Sequence, residues 1–184
     1  MARVDLLDGD SAPITVREFF AGGDPGPIVA ALANVPELLG PTLGFIGPAL
    51  GAGSTGVRAK EFAILRTSAL QGCRYCVDAH TTVALDVGLT DDEVRALRGE
   101  LELGDAFDAE RDLALIAWID ATAGTTGPVA DDVHERVSAH WDDHELVELS
   151  VTIGATLFLN RFATGFELPT SPDVRRRLDE HGMS

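Results

Sequence analysis

The chain has 184 residues, 45% of them apolar, enough for a sizeable core in one compact unit. Lys plus Arg number 14 and Asp plus Glu 30, a net charge of −16, which argues against the broad positive face that nucleic acid or an anionic membrane would need. Uninterrupted apolar runs fall well short of the roughly 18 residues of a membrane span. The opening MARVDLLDGDS lacks the apolar stretch of a secretory signal, so a cytoplasmic protein is expected.

In chain order the punctuation is that of helices separated by Gly and Pro. Residues 1–25 read as an N-terminal arm ending in the turn GGDPGP at 22–27. Residues 28–50 are apolar but carry Pro36, Pro41 and Pro48, which predicts short or kinked helices. After the loop GAGSTG, a helix over 57–71 is expected to stop at Gly72, and a second over 73–87 at Gly88. Thr90 and Glu93 have the spacing of a capping box and open a short helix, so the segment 57–98 is a helical unit.

A second helical half spans 108–168. Asp108 is expected to cap a helix reaching about 123, residues 131–140 form another, and Asp143 caps the longest, over 144–166. The apolar residues of that last helix wrap around more than one stripe, so it is central to its own protomer or shared with another copy. Ser171 and Pro172 then start a polar terminal helix within 171–182. No β-type alternation occurs. The reading is a single all-α domain over 1–184.

A weak internal echo aligns EFAILRTSALQGCRYC (61–76) with ELVELSVTIGATLFLN (145–160). Leu157, Asn160 and Thr164 then stand where the first copy has Cys73, Cys76 and His80. Duplication and chance similarity of amphipathic helices account for this about equally well.

Cys73 and Cys76, in C-R-Y-C, are the only cysteines. In a reducing compartment such a pair is more often a redox centre or half of a metal site than a staple. Once a helix begins near Cys73, Cys76 lies at i+3 and His80 four residues beyond it, so all three share one face. Unpaired N–H groups and the helix dipole at that end lower a thiol pKa. His80 adds a basic partner, and a break at Gly72 would fold the preceding helix back and return Glu61 to the neighbourhood of Cys76 or His80. Cys73 is nearer the helix start, whereas Cys76 has His80 one turn away, so spacing alone does not choose the nucleophile.

Competing readings are weaker. Zinc wants about four ligands, and no second CxxC is present. Covalent haem needs CxxCH, but position 77 is Val, and a thioredoxin-type motif should stand on a βαβ unit. His140 and His144 are separated by a helix break, His134 lies on a polar helix, and Arg175 to Arg177 form a solvated or intersubunit basic run. Asn160 and Arg161 inside an apolar helix mark either an interface or a pocket wall, since a buried polar pair needs partners.

The pattern E-x11-C-x2-C-x3-H, here Glu61, Cys73, Cys76 and His80, resembles the alkylhydroperoxidase D branch of the carboxymuconolactone decarboxylase family. The resemblance is strongest over 59–97, and HWDDHELVELSVTIGATLFLNRF is similar to the longer, two-part members. It implies an all-α homo-oligomer that reduces small organic hydroperoxides, with no metal or bound cofactor. Cys76 would attack the peroxide, Cys73 would resolve it, and Glu61 and His80 would relay protons. A thiol reductant, in the best-known members a lipoyl-bearing protein, would restore the dithiol. Tyr75 is a departure, because the branch's namesake has a relay histidine before its second cysteine. The alternatives are a lyase acting on a small carboxylated ring and a non-catalytic oligomeric binding module.

Overall fold

A computed structural model describes residues 1–184: ten α-helices and one 3-10 turn, with no strand. The 3-10 turn Ile14–Phe20 is the folded part of the arm. It buries Val16 and Phe20, together with Ala12, against Leu32, Ala33 and Leu39. Helix α1 (Pro27–Leu32) follows, then α2 (Pro36–Leu50). The three prolines do not break α2. Pro36 occupies the first turn, where no donor is needed, and Pro41 and Pro48 lie on the exposed face, where freed carbonyls meet water.

Helix α3 (Val57–Leu70) is the centre of the fold and packs against α4 (Arg74–Asp86), α7 (Glu110–Gly124) and α9 (Asp143–Phe166). Phe62 and Leu65 of α3 meet Leu115, Ile116 and Ile119 of α7 and Leu149 and Ile153 of α9 in the main core. Because α3 is enclosed on all sides, its polar residues must find partners there. Lys60 Nζ sits 2.8 Å from Glu148 Oε1 and donates to the Ala49 carbonyl at 3.1 Å. Arg66 grips Asp120 through two bonds of 2.6 and 2.8 Å, tying α3 to α7.

The expected stops hold at atomic detail. Gly72 takes φ +63°, the Gly72 N–H donates to the Ala69 carbonyl, and the Cys73 N–H donates to the Ser68 carbonyl at 3.0 Å. This is a Schellman ending, and it turns the chain directly from α3 into α4. The capping box at Thr90 and Glu93 opens α5 (Asp91–Leu97), and Ser171 caps α10 (Pro172–Glu180).

Two caps move by one residue. The long helix is capped by Asp142, because Glu145 three residues on closes the reciprocal box. Ala109, not Asp108, precedes α7 and makes no side-chain cap. The short α6 (Leu103–Ala106) was not anticipated, and α8 (Asp131–Ser138) ends before His140, where the buried Trp141 turns inward and donates to the Arg111 carbonyl. Helix α9 bears on the hydropathy reading without providing an uninterrupted apolar run. Although Thr, Gly and Asn interrupt it, an 18-residue window reaches a mean hydropathy of 1.3, so by length and composition it could cross a membrane. Here one face of α9 lies in the core, while Val147, Val151 and Phe158 stay exposed.

Candidate active site

The turn at Gly72 sets Cys73 at the N-cap of α4 and Cys76 in its first turn. Their sulfurs stand 2.7 Å apart and no disulfide joins them. Both are deeply covered: Cys73 is 1% and Cys76 6% exposed. Ala31 from α1, Ala163 from α9 and Leu168 beyond it pack around them, with Ala2 and Val4 of the arm over the top. The arm is pinned there by the Arg3 N–H on the Phe166 carbonyl (2.8 Å), the Leu7 N–H on the Ala30 carbonyl (3.1 Å) and an exposed Arg3–Glu167 ion pair.

The fold-back predicted for Glu61 is what the structure shows. Glu61, buried on α3, places Oε2 2.9 Å from His80 Nδ1 on α4. His80 makes no hydrogen bond to either sulfur, so the carboxylate, not a thiol, fixes the imidazole. Glu61, Cys73, Cys76 and His80 thus share the α3–α4 hairpin, as two adjoining pairs.

The two thiols ionise very differently. The two thiols share a hydrogen bond, and this bond, opposed by burial and aided by the Cys76 backbone N–H, Thr164 and Asn160, lowers the Cys73 pKa to about 6. Cys76 is pushed up, because its proton is held by Cys73, its surroundings are apolar and a second anion beside the first is repelled. Tyr75 is raised to about 12, first by burial and then by the charge of the pair. The first ionisation of the pair is therefore favoured, at the helix start, and the second is opposed.

Asn160 and Arg161 point in opposite directions. Asn160, 1% exposed, donates Nδ2 to Ser68 Oγ at 3.0 Å and so ties α9 to α3 inside the protomer. Arg161 turns outward to Gln71. Asn160 and Thr164 are the residues that sequence reasoning did not assign to the site. The internal echo held the signal, since it aligned them with Cys76 and His80. The echo fails as a structural repeat, because α9 runs straight through the position where Gly72 divides α3 from α4.

A hollow of about 740 Å³ lies next to this centre, between the arm and the segment after α9. Its lining residues Ala30 and Pro169 are chain neighbours of Ala31 and Leu168, which pack around the sulfurs. Thr170, also in the lining, donates to the buried Asp78 of α4 at 2.6 Å and holds that wall in place. The other histidines stand apart: His144 meets Ser54 at 3.0 Å, His134 packs on Trp118, and His181 meets Asp91 at 3.0 Å. No three His, Cys, Asp or Glu side chains gather so as to hold a metal ion.

Residues 36–121 match the carboxymuconolactone decarboxylase family. An uncharacterized Bacillus subtilis (strain 168) protein, YdfG, is 29% identical over 104 residues, 56% of this chain and 70% of that one. Among solved structures, a protein of unknown function from Agrobacterium tumefaciens, named with the antioxidant defence protein AhpD, is 28% identical with a TM-score of 0.69, covering 76% of this chain and 94% of that one. A peroxidase-related protein from Silicibacter sp. TM1040 shares the fold at 15% identity and a TM-score of 0.81, covering 94% and 93% of the two chains. Over residues 36–121 the chain is thus similar to the carboxymuconolactone decarboxylase family, and it has the all-α fold of these alkylhydroperoxidase D-like structures.

Proposed function

We propose that the protein is a dithiol peroxidase that reduces small organic hydroperoxides through Cys76 and Cys73. The observation that carries this reading is the free cysteine pair at the start of α4, its two sulfurs in direct contact and one thiol lowered. A thiolate is the nucleophile in such chemistry, and a second thiol within reach closes the cycle.

The order of roles rests on the family resemblance. In the singly ionised pair the shared proton passes from Cys76 to Cys73 and leaves the Cys76 thiolate. That sulfur attacks the outer oxygen of R–O–O–H, the O–O bond breaks, and Cys76 becomes a sulfenic acid. The departing alkoxide takes a proton delivered by His80, backed by Glu61, and leaves as R–OH. The Cys73 thiol then condenses with the sulfenic acid, releasing water and forming the disulfide. An external dithiol, such as a lipoyl-bearing protein, returns two electrons and two protons. Assembly of several copies belongs to the same proposal, supported by the exposed Val147, Val151 and Phe158 on one face of α9.

Cumene hydroperoxide added to single-cysteine variants tests the scheme. Cys76→Ser should abolish peroxide consumption, and Cys73→Ser should accumulate a sulfenic acid on Cys76 that dimedone traps. Dimedone on Cys73 of the Cys76→Ser protein would reverse the roles. No consumption by the parent protein would return the reading to a lyase or a binding module.

A further inference from the structure

We propose that the hydroperoxide this protein takes is a carboxylic acid with an apolar body, its carboxylate held by the Arg175 guanidinium where two hollows beside the cysteines meet. The inference rests on the peroxidase reading for the reacting group alone; the carboxylate is argued from the hollows.

Arg175 stands out by what it lacks. The chain has 14 Lys and Arg side chains against 30 acids, so a cation without a carboxylate is unusual here. Arg17 donates to the Ala12 and Asp10 carbonyls and Arg161 to Gln71. Every other Lys and Arg except Arg175 lies within ion-pair distance of an acid. The C-terminal basic run shows the contrast: Arg176 pairs with Asp173 at 2.9 Å and Arg177 with Asp86 at 3.0 Å, while the exposed Arg175 side chain makes no ion pair and no hydrogen bond.

Its place gives that freedom a use. The hollow of about 740 Å³ and a smaller one of about 340 Å³ share Pro169, Thr170 and Arg175. Leu6, Phe20 and Ala30 give the larger hollow an apolar wall, and its volume suits a small organic ligand. Tyr75 and Leu168, which pack in the cluster around both sulfurs, line the smaller one together with Arg74. An anion at Arg175 therefore has apolar walls on one side and the cover of the cysteines on the other.

The acids in the lining are engaged within their own turns or with Arg3. Asp8 accepts the Ser11 hydroxyl at 2.7 Å and the Ser11 N–H at 2.8 Å, Asp24 accepts the Gly26 N–H at 2.8 Å, and Glu167 pairs with Arg3. A guanidinium offers a planar fork that matches a carboxylate. One fork near these acids suits a single negative charge; the second charge of a phosphate would be repelled by Asp8 and Asp24.

Octanoate, which has the carboxylate and the apolar body but no peroxide, tests the site by isothermal titration calorimetry on the reduced protein. The parent should bind octanoate about tenfold more tightly than methyl octanoate. Arg175→Gln should weaken octanoate about tenfold, the scale of one hydrogen bond to a charged group, and leave the ester unchanged. Arg176→Gln makes the same change of charge outside both hollows and should bind as the parent does. In turnover, Arg175→Gln should raise KM for linoleic acid hydroperoxide about tenfold and leave KM for cumene hydroperoxide and for a neutral dithiol unchanged, which puts the carboxylate on the hydroperoxide and not on the reductant. No saturable octanoate binding by the parent, equal binding by parent and Arg175→Gln, or an equal loss in Arg176→Gln would overturn the proposal. Arg175-dependent octanoate binding in a protein that consumes no hydroperoxide would leave the carboxylate site standing and remove the peroxidase reading. Consumption of cumene hydroperoxide with no preference for octanoate over its ester would do the reverse.

Discussion

Glu61 Oε2 lies 2.9 Å from His80 Nδ1 and joins the buried central helix to the helix that carries both cysteines. If His80 supplies the proton to the departing alkoxide, Glu61 holds the ring in the orientation that does so. Glu61→Gln keeps an acceptor for the ring and removes the charge. Peroxide-driven disulfide formation should slow about 10²-fold, the scale of one acid–base group. Stopped-flow rates measure it, and an unchanged rate would make Glu61 a structural helix residue.

The split between the two thiols gives the reduced protein a stability maximum. Cys73 is lowered from 9.0 to about 6, so its contribution is present above the unfolded value and lost as pH falls through 6. Cys76 is raised, so its contribution is present below 9.0 and lost as pH rises above it. Stability of the reduced protein should therefore climb from pH 6 to 9 and decline beyond. Urea unfolding across pH 5 to 10 checks this, and the Cys73→Ser, Cys76→Ser double variant should lack the feature.

Lys60 is enclosed in the core and held by Glu148, whose carboxyl it lowers to about 2 with help from Ser54. Removing the cation leaves a largely covered carboxylate unpaired. Lys60→Met should cost about 3 kcal/mol, within the range for breaking a buried pair. The wider signature is acid sensitivity: Glu148's contribution is present above 4.5 and lost as pH falls toward 2. Thermal melts of parent and variant should converge at the acid end, and parallel melts at every pH would contradict the assignment.

The arm covers the sulfurs with small side chains and few bonds, Ala2 and Val4 being its apolar contacts there. Arg3→Ala together with Val4→Ser removes the Glu167 pair and much of the apolar cover. Labelling of the reduced cysteines by a soluble aromatic disulfide should speed up about tenfold, the factor for about 1.4 kcal/mol less resistance to local opening. Equal labelling rates would mean that the reagent enters by another route.

Much of this architecture is legible in the chain because local chemistry dictates it. Gly72, Gly88, Thr90 with Glu93, and Ser171 with Pro172 mark helix ends by requirements that tertiary packing does not change. Glu61 and His80 could be paired in advance because Gly72 forces a hairpin between their helices. Other features depended on contacts distant in sequence. Lys60 and Glu61 look like surface residues until Glu148 and His80 enclose them, so the all-round burial of α3 could not be read from its pattern. The lowering of the Cys73 thiol comes first from its neighbour Cys76, but part of it comes from Thr164 and Asn160, more than eighty residues away along the chain.

The most direct measurement of the central claim is a free-thiol count on the reduced protein before and after one equivalent of cumene hydroperoxide, with the alcohol product quantified. The account predicts that two thiols per chain disappear, one equivalent of alcohol forms, and a dithiol restores both thiols. Two thiols remaining beside intact hydroperoxide would contradict it.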